Sequence, residues 1–174
     1  MAVAAGHSFD MPGTGPGTGP QRWRCHAMTM ATPAAVEAEI HAIMQDRIEA
    51  VQAKDAARLV SHHAAEVVAY DLLEPLKYTG AADLRRRAQQ WFDGYDGPMT
   101  YEIRDLVVVP GHGVAFCHGL HHVAGRLRTG QEVDMWWRAT QGLRLVDDKW
   151  QIIHEHSSLP FDMASGKVSF ALKP

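Results

Sequence analysis

WWRATQGLRLVDDKWQIIHEHSSLPF, residues Trp136–Phe161, holds two runs rich in aromatic and β-branched residues on either side of Asp147-Asp148. Such residues favour pleated, half-buried backbone, and a short polar break between two of these runs is the pattern of a β-hairpin. The first arm reaches back to Glu132, so strands are expected over Glu132–Val146 and Trp150–Ser158. A first strand of that length cannot stay flat, so it should bend strongly or carry a bulge.

Working upstream, two more strand patterns cover Thr100–Val109 and Val114–Val123, separated by Pro110-Gly111 and followed by a Gly125–Gly130 loop. Connections this short force antiparallel neighbours. Before Pro98 the pattern changes to helices. Thr32-Pro33 reads as an N-cap with proline at the first helical position, where its missing N–H costs nothing. Val36, Ile40, Ile43, Met44, Ile48 and Val51 then recur at three- and four-residue steps. Asp55 should cap a shorter helix, Glu66–Leu73 reads as a strand broken at Pro75, and a third helix should run from Ala81 to about Phe92 before Asp93-Gly94 stops it. The run Arg85-Arg86-Arg87 is most simply a solvated helix face. Helices first and a strand meander after is the α+β pattern, and a curved antiparallel sheet wrapped on N-terminal helices makes a cone.

Composition bounds what such a domain can do. The 174 residues carry a formal charge of -3, which supplies no positive field for nucleic acid. Cys25 and Cys117 form no C-x-x-C and suggest neither a disulfide framework nor a thiolate metal site. No apolar run approaches the ~20 residues of a membrane helix, and no basic-then-apolar signal opens the chain, so a cytoplasmic protein without a membrane partner is expected. Residues Met1–Met30 contain PGTGPGTGP, cannot bury enough apolar surface to order themselves, and are expected to be a disordered leader before a domain over 31–174. The leader's glycines follow no strand and open no helix, which argues against a phosphate loop.

The hairpin WWRATQGLRLVDDKWQIIHEHSSLPF resembles the closing hairpin of SnoaL-like and ketosteroid-isomerase-like domains, which share the nuclear transport factor 2-like, cystatin-like fold. Its WQIIHEHSS end is also similar to that of the kinase association domain. Upstream, VVAYDLLEPLKYTGAADL resembles the steroid isomerase segment in the spacing of aspartate, proline and helix-opening glycine from Asp71 to Gly80. The resemblance implies a small-molecule pocket inside the cone and places Asp71 on the catalytic base. It also puts Arg47 where the family has its oxyanion-binding tyrosine and Gln141 where it has a protonated aspartate. With two of three elements changed, steroid isomerisation itself is not implied. The superfamily holds isomerases, cyclases, dehydratases and non-enzymes, so the fold does not deliver the function.

Alternation along the strands divides the last one into Gln151, Ile153, Glu155, Ser157 on one face and Trp150, Ile152, His154, His156 on the other. The family pattern turns the Glu155 and Ser157 face inward, with Trp137, Ala139, Gln141, Cys117, Gly119 and His121. Asp71, Glu155 and His121 are thus the candidate acid–base groups, and Trp91, Phe92, Tyr101, Trp137, Gln141, Ile153 and Ser157 the candidate ligand contacts. Plainer roles stand beside these: Asp71 as a turn cap before Pro75, and Glu155 as the partner of an arginine. The opposite face, with His118, Asp134, Trp136, Arg138, His154 and His156, reads as a homodimer surface rather than a metal site, since His154 and His156 have no third ligand in a recognisable motif.

Two functions follow as expectations. One is a cofactor-independent isomerase, lyase or cyclase that uses Asp71 as general base on an apolar, carbonyl-type substrate. The other is a non-catalytic ligand-binding or oligomerisation module. An oxyanion donor opposite Asp71 would separate them, and Gln141, Tyr101 and Arg47 are the residues available.

Overall fold

The computed structural model describes residues 31–174, so the expected leader over 1–30 lies outside the described residues. The chain opens with helix α1 (Pro33–Gln52), for which the Thr32 hydroxyl accepts from the Ala35 N–H at 3.2 Å and Pro33 takes the first position. Helix α2 (Ala56–Leu59) is capped by the Asp55 carboxylate. Then come β1 (His63–Tyr70), β2 (Tyr78–Thr79), α3 (Ala81–Asp93), β3 (Tyr95–Pro110), β4 (Val114–Leu127), β5 (Glu132–Val146) and β6 (Lys149–Ser158).

The six strands form one open sheet in the order β2-β1-β6-β5-β4-β3. From β3 to β6 every neighbour is antiparallel, as short turns require. The expected all-antiparallel sheet is corrected at one seam, because β1 runs parallel to β6. These two strands are separated by α3 and the whole meander, so no short turn dictates their direction. The first strand also ends at Tyr70 rather than Leu73, which leaves Asp71 just outside it. The hairpin turn is built at Asp147 and Asp148, whose φ values of 48° and 57° are left-handed conformations that aspartate tolerates.

Two irregularities decide which side chains face inward. The bulge expected in β5 lies in β6, where Gly142 pairs with His154 but Leu143 pairs with Ile152. Ile153 is the extra residue, and it reverses the parity of everything after it. Trp150 and Ile152 therefore join Glu155 and Ser157 on the inner side, although strict alternation separates them. A second bulge follows Arg104 in β3, with Asp105 at φ 52°. There Gly119 lies so close to β3 that a Cβ would stand 3.0 Å from the Arg104 carbonyl oxygen, so a larger residue would have to push β3 away by a few tenths of an ångström.

Two apolar clusters close the concave side. Val36, Ile40, Ile43 and Met44 of α1 pack on Ala115, Cys117, Leu143, Trp150 and Ile152. Further along, Ala50 and Val51 join Leu59, Ala88 and Phe92 against Tyr95, Met99, Tyr101, Val123, Trp137 and Ala139. Between these clusters the buried stripe of α1 carries Arg47, one turn from both Met44 and Val51.

Candidate functional site

A cavity of about 880 Å³ lies between the sheet and the helices. Its walls are apolar and aromatic, with Trp91 from α3 meeting Tyr101 edge-on at 6.3 Å and Tyr101 meeting Trp137 at 5.9 Å. Polar groups gather at its two ends, a composition typical of small-molecule sites.

Arg47, His63, Tyr101 and Glu155 make the inner end. Arg47 Nη1 stands 3.0 Å from Glu155 Oε2, and His63 Nε2 stands 3.5 Å from the same oxygen. The ion pair is close but poorly aligned. Arg47 Nη1, Glu155 Oε2 and both His63 ring nitrogens lack a directed hydrogen bond among the described residues, although the His63 side chain is only 1% exposed. Buried polar atoms in proteins are normally satisfied, so a group of them opening on a cavity is a place for a ligand's polar atoms or ordered water.

Charge at this end is fixed by mutual pairing. Burial alone would raise the Glu155 carboxyl, but the Arg47 charge, helped by His63, holds it well below the usual carboxylate range. Burial would likewise disfavour the Arg47 cation, and Glu155 and Tyr101 reverse that and hold it charged. Tyr101 Oη is joined to His121 Nδ1 by a 2.6 Å hydrogen bond. Burial, reinforced by the nearby Arg47 charge, lowers His121 to about 3, so this imidazole is neutral at ordinary pH.

At the outer end, Asp71 Oδ2 meets Arg87 Nε at 2.8 Å and Asp71 Oδ1 accepts from the Leu72 N–H at 2.6 Å. Both oxygens are thus engaged. Arg87 corrects the solvated-face reading of the arginine run, since its side chain is only 17% exposed and turns inward to this pair.

Of the residues singled out from sequence, Asp71, Glu155, Trp91, Tyr101, Trp137 and Ser157 line the cavity. His121 is fully buried behind Tyr101, Phe92 belongs to the apolar core, and Ile153 is displaced by the bulge. Gln141 is also buried away from the cavity and accepts from the Cys117 thiol at 3.4 Å. Arg47, read from sequence as a replaced tyrosine and an available oxyanion donor, becomes a central group. His63, Arg87 and Tyr95 were missed. A charged residue on an otherwise apolar helix stripe was the available signal for Arg47, whereas nothing in the sequence distinguishes His63 from His62. On the opposite sheet face, Trp136 of the expected homodimer surface is already covered within the chain: His122 stacks on it at 4.5 Å, and the Arg104 guanidinium lies 4.8 Å from its ring centre.

The sequence model of the SnoaL-like domain family matches residues 40–162, which takes in α1 from Ile40, the whole sheet and the cavity's inner end. The chain belongs to the SnoaL-like family. Among solved structures, an NTF2-like protein of unknown function from Pseudomonas putida is 30% identical, covering 83% of this chain and 100% of that one with a TM-score of 0.74. Two further structures share the fold at lower identity. A provisionally named dehydratase of the NTF2-like family from Streptomyces avermitilis is 17% identical over 73% of this chain and 97% of that one, with a TM-score of 0.63. A provisionally named calcium/calmodulin-dependent protein kinase II association domain from Xanthomonas campestris is 20% identical over 74% and 91%, with a TM-score of 0.61. No protein of curated function matches the chain in sequence. Structures provisionally named for a dehydratase and for an association domain on one fold leave the function of this SnoaL-like domain to be read from its own cavity. Among the described residues, no helix is long and apolar enough to cross a membrane.

Proposed function

We propose that this SnoaL-like protein is a cofactor-independent isomerase or lyase that moves a proton on a small, largely apolar molecule bearing a carbonyl group. The observation that carries this reading is His63, a buried imidazole on the cavity with no directed hydrogen bond, set 3.5 Å from a carboxylate. The carboxylate favours the tautomer with its N–H on Nε2 and leaves Nδ1 as a bare lone pair, the condition for a general base. The acidic C–H of the substrate gives its proton to Nδ1, and the electron pair moves into the carbonyl. Arg47 and Tyr101 are the donors available to the oxygen that gains charge. Return of the proton to a second carbon gives an isomerase, and loss of a β-leaving group gives a lyase.

This reading moves proton acceptance from Asp71 to His63. Arg87 and the Leu72 N–H already engage both Asp71 oxygens, so Asp71 serves better as the partner that holds Arg87 at the cavity's outer end. A non-catalytic binding module has one observation in its favour, the Arg47–Glu155 pair, which already neutralises itself.

Nitrobenzisoxazole, whose ring opens when a base in an apolar site removes one proton, separates these readings without knowledge of the natural substrate. Wild type should open it faster than free imidazole does. His63→Gln should lose about 10²-fold of that rate, and Asp71→Asn should stay within about threefold. A wild type no better than free imidazole would leave the binding module as the better account, and loss of rate in Asp71→Asn alone would return the base to Asp71.

The outer sheet face exposes Tyr70, Val107, Val109 and Phe116, which supports a homodimer through that face. Light scattering at micromolar concentration decides it, and a strict monomer removes it.

A further inference from the structure

Beyond β6 the chain turns back on the cavity. Val168 and Phe170 are among the residues that line it. Between Ser158 and these residues the segment folds on itself: Phe161 bridges to Val168, and the Asp162 N–H donates to the Lys167 carbonyl at 2.8 Å. The Asp162 carboxylate accepts from the Ser165 N–H and hydroxyl, both at 2.7 Å. Lys173 then reaches the Asp134 carboxylate at the start of β5. The family match ends at residue 162, so Val168, Phe170 and Lys173 all lie beyond it.

The segment is therefore a strap, continuous with β6 at one end, pinned along its length by the Phe161–Val168 bridge and by the Ser169 N–H, which donates to the Pro160 carbonyl at 2.8 Å, and tied at its far end by one ion pair. That pair is exposed, with side-chain exposures of 58% and 51%, and exposed pairs hold weakly. Val168 and Phe170 are about half covered and belong to none of the buried clusters, so the strap can lift without disturbing the core. Asp134 is kept ionised by hydrogen bonds from Lys173 and, on its other oxygen, His122.

We propose that this C-terminal strap is the ligand-selecting wall of the cavity: Val168 and Phe170 touch the bound molecule, and parting of Lys173 from Asp134 opens the way in. The proposal rests on the cavity's holding a small molecule, and proton transfer plays no part in it. An apolar molecule seated inside would cover the inner sides of Val168 and Phe170, so binding would favour the closed strap.

Trypsin reads the strap directly on the full chain. The Lys167–Val168 bond lies inside it, and Pro174 protects the bond after Lys173. Release of the peptide 168–174, followed by mass, therefore counts openings. Lys173→Ala should speed release about 2- to 5-fold, and added salt should speed wild type but not this variant. Anilinonaphthalene sulfonate should slow release from wild type, and Phe170→Ala should weaken dye binding about 3-fold while the unfolding midpoint holds. Equal release from wild type and Lys173→Ala, or a dye that leaves release untouched, overturns the strap, and unchanged dye affinity in Phe170→Ala overturns its role as a wall. A His63 variant that had lost only proton transfer would show every wild-type strap response, so failure of the functional reading is distinguishable from failure of this one.

Discussion

Each end of the cavity holds one arginine–carboxylate pair, but the two pairs differ in what surrounds them. Arg87 and Asp71 sit where the chain leaves β1, and Asp71 has a backbone N–H as a second partner. Arg47 and Glu155 sit between the core clusters; Arg47 Nε donates to Tyr101 Oη, but Arg47 Nη1 and Glu155 Oε2 face each other without a directed hydrogen bond, beside an imidazole in the same condition. A pair whose carboxylate oxygens are both engaged is a structural brace. An unsatisfied buried group facing a cavity is a site, because its unused hydrogen-bonding capacity is available to a ligand. Family resemblance directed attention to the outer pair through Asp71, and the physical chemistry directs it to the inner one.

The sharpest break in this comparison is stability. Glu155→Gln removes the charge that pairs the mostly buried Arg47, and should cost about 3 kcal/mol in urea unfolding. A cost below about 1 kcal/mol would show that water already screens the inner end and that the contrast is overstated.

Acid should separate the two ends next. His121, behind Tyr101, is lowered from 6.5 to about 3, so below pH 6.5 the unfolded chain binds a proton that the folded chain refuses. Stability from this group is complete above that pH and is lost as pH falls toward the folded value, at about 1.4 kcal/mol per pH unit. The lowered Glu155 carboxyl adds a loss of the same sign only below its ordinary 4.5, so the window from 6.5 to 4.5 reports His121. Unfolding free energies of His121→Gln across that window should lack this part of the slope, and an unchanged slope would place the titrating group elsewhere.

The smallest effect belongs to the outer end. Asp71→Asn keeps an acceptor for the Leu72 N–H and loses a partly exposed pair with Arg87, so it should cost only about 0.5–1 kcal/mol. A loss as large as that of Glu155→Gln would make the two ends equivalent.

Much of the fold was legible because it rests on local chemistry: the Thr32-Pro33 start, the α1 stripe, the Asp55 cap and the Asp147-Asp148 turn are each encoded within a few residues. Two features were not. The parallel seam between β1 and β6 joins residues far apart in sequence, and the Ile153 bulge leaves no pattern distinct from ordinary alternation. The candidate site suffered accordingly. Asp71, Glu155, Tyr101 and Trp137 were placed on the cavity because strand parity or family spacing reached them. His121 and Gln141 had the right parity, but α1 and Tyr101 cover them, and coverage by a distant element is not written in a strand's own sequence. His63 could not be chosen over His62 because its neighbour in space, Glu155, comes from the far end of the chain.

A crystal structure of the complex with β-naphthol tests most directly whether the inner end, not the outer, receives the polar atom of an apolar ligand. The rings should lie among Trp91, Tyr101 and Trp137, with the hydroxyl oxygen within hydrogen-bond distance of His63 or Arg47. A hydroxyl turned toward Asp71 and Arg87, with the inner end left to water, would contradict that placement.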